Sequence, residues 1–599
     1  MNILIDKIRI KNFRALQEVE VDLKPITLLV GANNAGKTTL LRALHTVLGV
    51  SKNQLNKDDL FIDKSGHQPS KSIIIDIRIV SIDENGERIN TFEQPWRSRL
   101  GGQEIFQIDQ QSKEFVAFRV EYSFGREDTP LPATYTLITD WGKEKLGDEF
   151  KRISNIRDLL QMYLIDAQRD LQEDTKSRNS FFGKLVSQLE QSYEEKDLRT
   201  LQALIEELNN TAVSNSEVLS HLKEKLSELN RTTQTRGEGV SINPFPKHIR
   251  DLHKGMKVNF QDNGSDSFGM EYHGMGTRSW ASILTLGAYL DWEIQRRSEL
   301  EKTGKEFEPI SPLIGLEEPE AHLHPNAQRT LYSQLKKFAG QKIISTHSPY
   351  IAGQADLTEL RHFYKAEDSV VVSQIDLTQL DRKEIEIIKS NIESSKAEVL
   401  FSKGVVMCEG ETEETALPIF AKAYFGKSNF ELGIEFIKTG KFYPLLTLLR
   451  FLKIQYFIFS DYDKPDVKST LQNILQKNSI SDENIIKLND ETTQKNIEEY
   501  LYDEGYHQEL RNSYKIVKEP IYANEQHKLA KQTDLEKEHQ RIDNLGKEDF
   551  LKELESWKAK VASIYPYLIV ERKEENERIP PKIRELFEKI SEKLGIKPS

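Results

Sequence analysis

Carboxylate side chains follow two apolar runs in the last third of the chain, at spacings that suit a shared divalent cation. Glu409 ends the run VVMC, and Glu413 comes four residues later. Asp461 and Asp463 end the second run, YFIFS, and alternate residues of an extended segment point the same way. Four such carboxylates repel one another unless a cation lies between them. An all-oxygen ligand set suits Mg²⁺ or Mn²⁺ rather than zinc. Solvated acids at strand ends are the alternative for each motif taken alone.

The elements that would position these acids belong to an α/β sheet. Residues 405–420 predict a buried strand, a glycine turn at Gly410 and a helix with apolar residues at helical spacing. Glu409 would then lie at the carboxyl end of the strand, with Glu413 in the first turn of the helix. Ligands of open α/β sheets bind at that edge.

A phosphate-binding pattern lies near the start of the chain. Residues 31–39, GANNAGKTT, match G-x-x-x-x-G-K-[ST] between a strand and an apolar helix, which is the context the motif requires. Gly31 and Gly36 let backbone N–H groups surround phosphates at a helix N-terminus. Lys37 would reach the β and γ phosphates, and Thr38 would hold Mg²⁺. The residues predicted to bind nucleotide here are Asn33, Asn34, Gly36, Lys37, Thr38 and Thr39.

Three further segments resemble parts of ABC-type ATPases. Gly274 and Gly276 open a long apolar helix, like the signature segment presented to ATP in a partner subunit. An apolar strand ends at Glu317 and Glu318, which resembles the Walker B element. Glu317 would belong to the Mg²⁺ shell and Glu318 would orient or activate water. His347 ends another strand and matches the switch histidine that contacts the γ-phosphate.

Composition limits the remaining possibilities. The 599 residues fit roughly three to four domains, and 37% apolar content is enough for true cores. The single cysteine, Cys408, excludes a disulfide framework and a cysteine-built metal site. The first residues, MNILIDKIRIKNF, do not resemble a signal peptide, and no run reaches membrane-spanning length, so we expect a soluble cytoplasmic protein. A net charge of −12 means that any DNA contact uses local basic patches or metals.

Other patterns indicate insertions and boundaries. The run VDLKPITLLV reads as one strand, and alternation from 71 to 133 predicts a β-rich lobe. Leucine spacing over 187–230 predicts an antiparallel helical hairpin that packs on its own domain or on a second subunit. An apolar strand is followed by Asp166, Gln168 and Arg169. The glutamine and the arginine either sense the γ-phosphate or its metal, or are ordinary loop residues. We predict domains at 1–180 and 241–395 (ATPase), 181–240 (helical insertion) and 396–599.

Residues near the C-terminal end could complete the metal site. At NIEEYL an acid enters a helix, and Glu498 fits better than Glu499 because it directly follows Ile497. Lys558 and Lys560 lie in WKAKVASIYPYLI, where a lysine could stabilise charge on a cleaved phosphate. A surface position is the alternative for either lysine.

Together these motifs resemble the OLD (overcoming lysogenization defect) nucleases, which include the nuclease subunit of the Gabija anti-phage system. The resemblance runs through GANNAGKT, EEPEAHLHP, STHSP, CEGETE and SDYDKP. It implies an α/β protein with an N-terminal ABC-type, SMC-like P-loop ATPase, a helical dimerisation insertion and a C-terminal Toprim domain, the metal-dependent fold of topoisomerases and primases. About 280 residues separate Lys37 from Glu318, as in ATPases with such insertions.

The resemblance implies an ATP-binding, metal-dependent DNA endonuclease or nickase in anti-phage defence or DNA processing. Two Mg²⁺ or Mn²⁺ ions would lie in the Toprim site, one Mg²⁺ would accompany ATP, and dimerisation of the ATPase would gate DNA. The implied partners are DNA, further copies of the chain and a UvrD-like helicase encoded nearby. The alternatives are an ATP-dependent DNA-binding or regulatory assembly with an inactive Toprim domain, and a nucleotide-sensing toxin acting on RNA. The residues assigned to the Toprim metals and chemistry are Glu409, Glu413, Asp461, Asp463, Glu498, Lys558 and Lys560.

Overall fold

The computed structural model describes most of the chain. The described residues are 2–49, 55–125, 129–151, 153–166, 193–220, 245, 259–260, 268–269, 275–302, 309–366, 369–392, 397–439, 442–461, 482–489, 495–519, 525–572 and 574–599. Two predicted site residues, Asp463 and Gly274, lie outside this set, as do Gln168, Arg169 and positions 187–192 and 221–230 of the predicted hairpin.

The chain divides into two compact units. The first comprises Met1–Leu29, Asn34–Ile351 and Lys365–Val371, and the second comprises Val30–Asn33, Ala352–Tyr364 and Val372–Ser599. The four-part domain division drawn from the sequence stays a prediction. Within the described residues, no helix combines the length and the apolar character that crossing a bilayer requires.

The strands of the described residues carry the labels β1 to β19. They are β1 (Asn2–Phe13), β2 (Leu16–Asp22), β3 (Ile26–Gly31), β4 (Ser72–Ile82), β5 (Gln107–Ile108), β6 (Glu114–Ser123), β7 (Thr134–Asp140), β8 (Lys145–Glu149), β9 (Met162–Ile165), β10 (Asn259–Phe260), β11 (Phe268–Gly269), β12 (Leu313–Glu317), β13 (Gln341–Ser345), β14 (Leu360–Ala366), β15 (Ser369–Gln374), β16 (Gly404–Cys408), β17 (Ile434–Lys438), β18 (Gln455–Ser460) and β19 (Ile485–Lys487).

The α-helices of the described residues carry the labels α1 to α18. They are α1 (Lys37–Leu48), α2 (Gln94–Leu100), α3 (Ile153–Leu159), α4 (Glu195–Ser214), α5 (Met275–Lys302), α6 (Pro325–Leu335), α7 (Pro349–Ala352), α8 (Arg382–Asn391), α9 (Glu411–Phe425), α10 (Asn429–Leu432), α11 (Phe442–Phe451), α12 (Ile497–Leu501), α13 (His507–Lys518), α14 (Glu525–Asn544), α15 (Lys547–Leu554), α16 (Lys558–Val561), α17 (Tyr565–Val570) and α18 (Pro581–Leu594).

An antiparallel sheet forms the β-rich part of the first unit. Its strands follow the order β2-β1-β4-β6-β7-β8, and β5 pairs with β6. The predicted single strand VDLKPITLLV is wrong: β2 ends at Asp22 and β3 begins at Ile26. Pro25 lies between them, and proline has no N–H to give to a strand ladder. β2 pairs antiparallel with β1, whereas β3 pairs parallel with β13.

A parallel sheet carries the nucleotide motifs. In the first unit β3 pairs with β13, β13 with β12 and β12 with β9, all parallel. Each β12 residue from Leu313 to Leu316 is buried, as are all five β13 residues. Such continuous burial is typical of parallel strands covered on both faces. Parallel pairing brings the carboxyl ends of β3, β12 and β13 to one edge.

A second parallel sheet forms the core of the second unit, in the order β17-β16-β18-β19. All of β16 is buried, and its register opposes Cys408 to Phe459 of β18. The following helix α9 packs its apolar face into a cluster that includes Leu417, Phe420 and Phe587. The strand, turn and helix predicted for 405–420 are therefore present, and the ends of β16 and β18 lie side by side.

Candidate nucleotide and metal sites

The phosphate-binding loop has the backbone that its glycines predict. Gly31 has φ +126°, and a Cβ there would lie 2.1 Å from the Phe363 carbonyl oxygen. Gly36 has φ +96° and is the N-cap of α1. Asn34 has φ 57°, a left-handed conformation that asparagine tolerates better than most residues. The loop therefore ends at a helix N-terminus, which favours a bound anion.

Lys37 is 5% exposed, and burial lowers its pKa to about 8. Its charge interacts with the carboxylates of Glu318 and Glu320. Thr38 Oγ1 donates a hydrogen bond to the Glu317 carboxylate, across 279 positions of sequence. Burial raises the pKa of Glu317. The fold thus brings the predicted phosphate lysine, the magnesium threonine and the Walker B-like acids together.

His347 and Glu318 face each other at the same edge. His347 Nε2 lies 3.8 Å from Glu318 Oε1. Burial lowers the pKa of His347, and the Lys37 charge lowers it further. Glu318 has φ 45°, an uncommon conformation for a residue other than glycine or asparagine. A neutral imidazole beside a carboxylate can hydrogen-bond a phosphate oxygen or a water molecule.

Glu320 is a buried residue of this site that sequence reasoning missed. It is 7% exposed, and its Oε1 accepts hydrogen bonds from Thr346 Oγ1 at 2.7 Å and from the His347 N–H at 2.7 Å. A third bond comes from the Ser348 N–H at 3.1 Å. The available signal was the motif EEPE itself, whose third acid had no assigned role.

The end of β9 and the start of α5 complete the described part of the site. Asp166 Oδ1 lies 3.1 Å from Arg42 of α1, so this acid has a structural partner. A Cβ on Gly276 would lie 2.4 Å from the His322 carbonyl oxygen, so the signature-like segment approaches the segment after β12 closely. Of the two signature glycines, Gly276 is described and Gly274 is not.

The second candidate site lies at the ends of β16 and β18. Glu409 directly follows β16. Its Oε2 accepts a 2.7 Å hydrogen bond from the hydroxyl of Ser460, which is the last residue of β18. Glu413 lies in the first turn of α9 and is 3% exposed. A Cβ on Gly410 would lie 2.5 Å from Glu413 Oε2, so the turn glycine gives this carboxylate its space.

Two carboxylates of this pocket are buried at an energetic cost. Burial raises the pKa of Glu413, and the neighbouring Glu409 charge adds to the rise. Glu498 is 2% exposed, and burial raises its pKa to about 7 while the Lys558 charge opposes that rise. Glu499 instead accepts the Asn496 N–H in the capping box of α12. The preference for Glu498 over Glu499 therefore matches where the two side chains point.

The donor set fits a hard divalent cation. Glu413 Oε2 and Glu498 Oε1 are buried and accept no hydrogen bond among the described residues. Buried carboxylate oxygens without donors cost free energy unless a cation or proton satisfies them. Within the same part of the chain, no three His, Cys, Asp or Glu side chains lie close enough together to hold a metal as they stand. Asp463, a predicted ligand, is not among the residues described.

The two candidate lysines differ in position. Lys558 Nζ lies 3.9 Å from Glu498 Oε2, and its side chain is 27% exposed. Lys560 is exposed, and its Nζ lies over the Trp557 ring, 4.9 Å from the centroid. The structure brings Lys558 to the carboxylate pocket and leaves Lys560 outside it.

Asn489 and Tyr565 also border the pocket and were missed from sequence. The Asn489 amide donates to the backbone carbonyls of Asp461 and Lys495, and its oxygen accepts the Lys495 N–H at 2.9 Å. It thereby ties the end of β18 to the start of α12. The Tyr565 hydroxyl is buried and has no hydrogen-bond partner in the part of the chain that the structure describes, and its pKa rises through burial and the charges of nearby carboxylates. Neither residue belongs to a recognisable motif.

Comparison with protein families matches one family model to the N-terminal part of the chain and another to a segment of the C-terminal part. The family described as AAA ATPase domain matches residues 4–352, more than half of the 599 residues. The chain belongs to this AAA ATPase family. The family described as overcoming lysogenization defect protein-like, TOPRIM domain matches residues 400–463, which contain Glu409, Glu413 and Asp461.

Curated relatives named nucleases match most of the chain. An OLD nuclease of Thermus scotoductus is 25% identical over 69% of this chain and 73% of its own length. The Old nuclease of Escherichia phage P2 is 25% identical over 70% of this chain and 69% of its own. An endonuclease GajA of Bacillus cereus is 21% identical over 85% of this chain and 80% of its own. The predicted resemblance to OLD and Gabija nucleases and the predicted fold class are confirmed.

Proposed function

We propose that this AAA ATPase family member is an ATP-binding, metal-dependent DNA endonuclease or nickase of the OLD type. The observation that carries the proposal is the pair of buried carboxylates, Glu413 and Glu498, near Glu409. Each leaves one oxygen without a hydrogen-bond donor among the described residues. That arrangement lies in the TOPRIM-matched part of the chain and in helix α12. Two relatives named nucleases match about 70% of this chain.

The carboxylate pocket would perform the cleavage. The proposed ligands are Glu409, Glu413, Asp461, Asp463 and Glu498, holding two Mg²⁺ or Mn²⁺ ions. Bound metal supplies a nucleophilic water at neutral pH and a Lewis acid for the leaving oxygen. Ser460 holds Glu409 in place through its 2.7 Å hydrogen bond. Lys558 contributes a positive charge at the rim, where a cleaved phosphate would carry negative charge.

The nucleotide site would regulate access to DNA. Lys37 binds phosphate oxygens, Thr38 and Glu317 hold the Mg²⁺ that accompanies ATP, Glu318 orients water, and His347 contacts the γ-phosphate. Burial lowers the pKa of Lys37 to about 8, and a bound phosphate would oppose that fall because its negative charge stabilises the ammonium form. The signature-like start of α5 would serve ATP bound to a second copy, so hydrolysis would require a homodimer or larger assembly. A UvrD-like helicase partner stays a prediction.

The test is nicking of supercoiled plasmid by the full chain with Mg²⁺ or Mn²⁺, with and without ATP. Glu409→Ala is expected to abolish nicking, and Lys37→Ala shows whether nucleotide activates or restrains it. Glu411→Ala is the matched control, because Glu411 is 62% exposed and pairs with Lys438 at 3.4 Å. A parallel RNA substrate tests the toxin alternative. Nicking by Glu409→Ala at the wild-type rate would favour a regulatory assembly with an inactive TOPRIM domain.

A further inference from the structure

We propose that Glu320 is a positioning residue for ATP hydrolysis. It holds the switch histidine, His347, opposite Glu318, the glutamate proposed to orient the attacking water. Its role is to accept hydrogen bonds from the segment that carries His347, through a single carboxylate oxygen. The inference rests on the proposed function of the nucleotide site, and it adds a residue to which the motif comparison gave no role.

The geometry begins at the end of β13. The Thr346 N–H is the last to bond the neighbouring strand, at the Leu29 carbonyl, 3.2 Å away. Beyond it the backbone leaves the ladder, and the His347 and Ser348 N–H groups need other acceptors. Glu320 Oε1 accepts both, at 2.7 and 3.1 Å. The Thr346 hydroxyl adds a third bond to the same oxygen, at 2.7 Å.

This anchor is buried and fixed from both sides. Thr346 is fully buried and Ser348 is 4% exposed, so water does not replace these bonds. Glu320 itself lies in a turn, since the Ala321 N–H bonds the Glu318 carbonyl at 2.9 Å. The Glu318 N–H bonds the Ser345 carbonyl at 2.9 Å, which joins the end of β12 to the end of β13.

The consequence is a fixed distance between two groups that act on ATP. The backbone of His347 is held by Glu320, and Glu320 is two residues from Glu318 in the same turn. His347 Nε2 lies 3.8 Å from Glu318 Oε1. Without the anchor, the imidazole and the acid would no longer share one rigid frame, and small displacements of reacting groups lower the chemical rate rather than binding.

The role needs an acceptor rather than a charge. All three bonds end on Oε1, while Oε2 has no hydrogen-bond partner among the described residues. A glutamine keeps one carbonyl oxygen in reach of the same donors. Glu320→Gln is therefore the conservative variant, and Glu320→Ala removes the acceptor. Thr346→Val removes one donor of the three, and with it the hydroxyl that accepts the Ser348 N–H at 3.0 Å, while it nearly keeps the side-chain volume.

The experiment measures steady-state ATP hydrolysis and equilibrium binding of a fluorescent ATP analogue by the full chain. Glu320→Ala is expected to lower kcat at least about tenfold with KM and analogue affinity within about twofold. Glu320→Gln should stay within about threefold of wild type, and Thr346→Val should fall between the two. Combining Glu320→Ala with His347→Ala should lower kcat no further than His347→Ala alone, because both act through one group. Melting curves confirm that each variant is folded.

Three outcomes would overturn the inference. They are wild-type kcat in Glu320→Ala, equal losses in Glu320→Gln and Glu320→Ala, and fully additive losses in the double variant. If Glu320→Ala does not fold, Thr346→Val and its combination with His347→Ala decide in the same way. If His347→Ala itself keeps the wild-type kcat, the proposed switch role fails, and with it the basis for this inference. A kcat loss in His347→Ala without one in Glu320→Ala removes the inference alone.

Discussion

The nucleotide site and the TOPRIM site both gather buried glutamates at the carboxyl ends of parallel strands, but they satisfy them differently. At the nucleotide site Glu317 accepts from Thr38, and one oxygen of Glu320 accepts three hydrogen bonds. In the TOPRIM pocket Glu413 and Glu498 each leave an oxygen that accepts no hydrogen bond from the described residues, and Lys558 Nζ lies 3.9 Å from Glu498 Oε2.

The difference separates two uses of one residue type. Glu320 also leaves one oxygen, Oε2, without a hydrogen-bond partner among the described residues, but its other oxygen holds backbone in place and its carboxylate interacts with the Lys37 charge. Glu413 instead lies beside the negative charge of Glu409, so an external cation would compensate the carboxylates of this pocket, which cost stability while they are uncompensated. We therefore expect metal to stabilise the second site strongly, and nucleotide rather than free metal to act on the first.

The largest expected effect is at Glu498. Glu498→Gln should lower metal-dependent nicking at least about 100-fold, because a charged ligand is lost. Its folded pKa of about 7 lies above the unfolded value near 4.5, so the folded form binds the proton more tightly. Wild-type stability thus falls as pH rises from about 4.5 to 7. At pH 8 without metal the variant should be more stable by up to about 3 kcal/mol.

The account predicts that Glu498→Gln lowers nicking but raises stability in the absence of metal. Melting temperatures measured with and without Mn²⁺ check the stability part of this prediction. Added Mn²⁺ should raise the melting temperature of wild type more than that of Glu498→Gln. A variant that is less stable than wild type in the absence of metal at pH 8 would contradict the comparison.

Variants of Lys558 and Lys560 test whether the lysine next to Glu498 has a specific role in cleavage. Lys558→Ala should lower nicking about 10- to 100-fold, since its ammonium lies beside Glu498 and faces the expected phosphate. Lys560→Ala is the matched control, from the same helix, and should stay within about twofold. Single-turnover nicking rates at saturating Mg²⁺ measure both. Equal losses in the two variants would show that general surface charge, rather than position, matters.

A smaller effect is expected at Asn489, which contacts backbone only. Asn489→Ala should weaken Mn²⁺ affinity about tenfold, because the end of β18 and the start of α12 lose their shared tie. Calorimetric Mn²⁺ titration measures this directly. High Mn²⁺ concentration should then restore most of the nicking, which it would not do if a ligand had been removed. Unchanged affinity would mean that the tie is dispensable.

The smallest functional effect belongs to a partly buried acid outside both sites. Burial raises the pKa of Glu435 on β17 to about 7, and the Glu398 charge adds to it. Because the folded pKa lies above the unfolded one, stability is lost as pH rises from about 4.5 to 7. Glu435→Gln should be about 2 kcal/mol more stable at pH 8, after allowance for partial exposure, and equal to wild type near pH 4. Nicking should be unchanged, and denaturant titrations at the two pH values measure the stability difference.

Local patterns predicted most of the framework from sequence. The loop at 31–39, the acids after β12 and the strand, turn and helix around Glu409 each follow from apolar periodicity and a motif within a dozen residues. The single strand VDLKPITLLV failed because the pattern does not show that Pro25 sends its halves to different partners. Sequence reasoning missed Glu320, Asn489 and Tyr565 because each role depends on at least one partner 26 or more positions away, which only the folded chain brings near.

The most direct test of the central claim is Mn²⁺ binding, followed by electron paramagnetic resonance without nucleotide, in Lys37→Ala and in Lys37→Ala combined with Glu409→Ala. Without nucleotide, the first site lacks the phosphate oxygens that would complete the shell of its metal, and Lys37→Ala removes the lysine that would bind those phosphates, so the tight Mn²⁺ signal is assigned to the carboxylate pocket. We predict that Lys37→Ala binds Mn²⁺ and that adding Glu409→Ala weakens binding at least about tenfold, in step with loss of nicking. Equal Mn²⁺ affinity in the two variants would contradict the assignment of the pocket as the metal site.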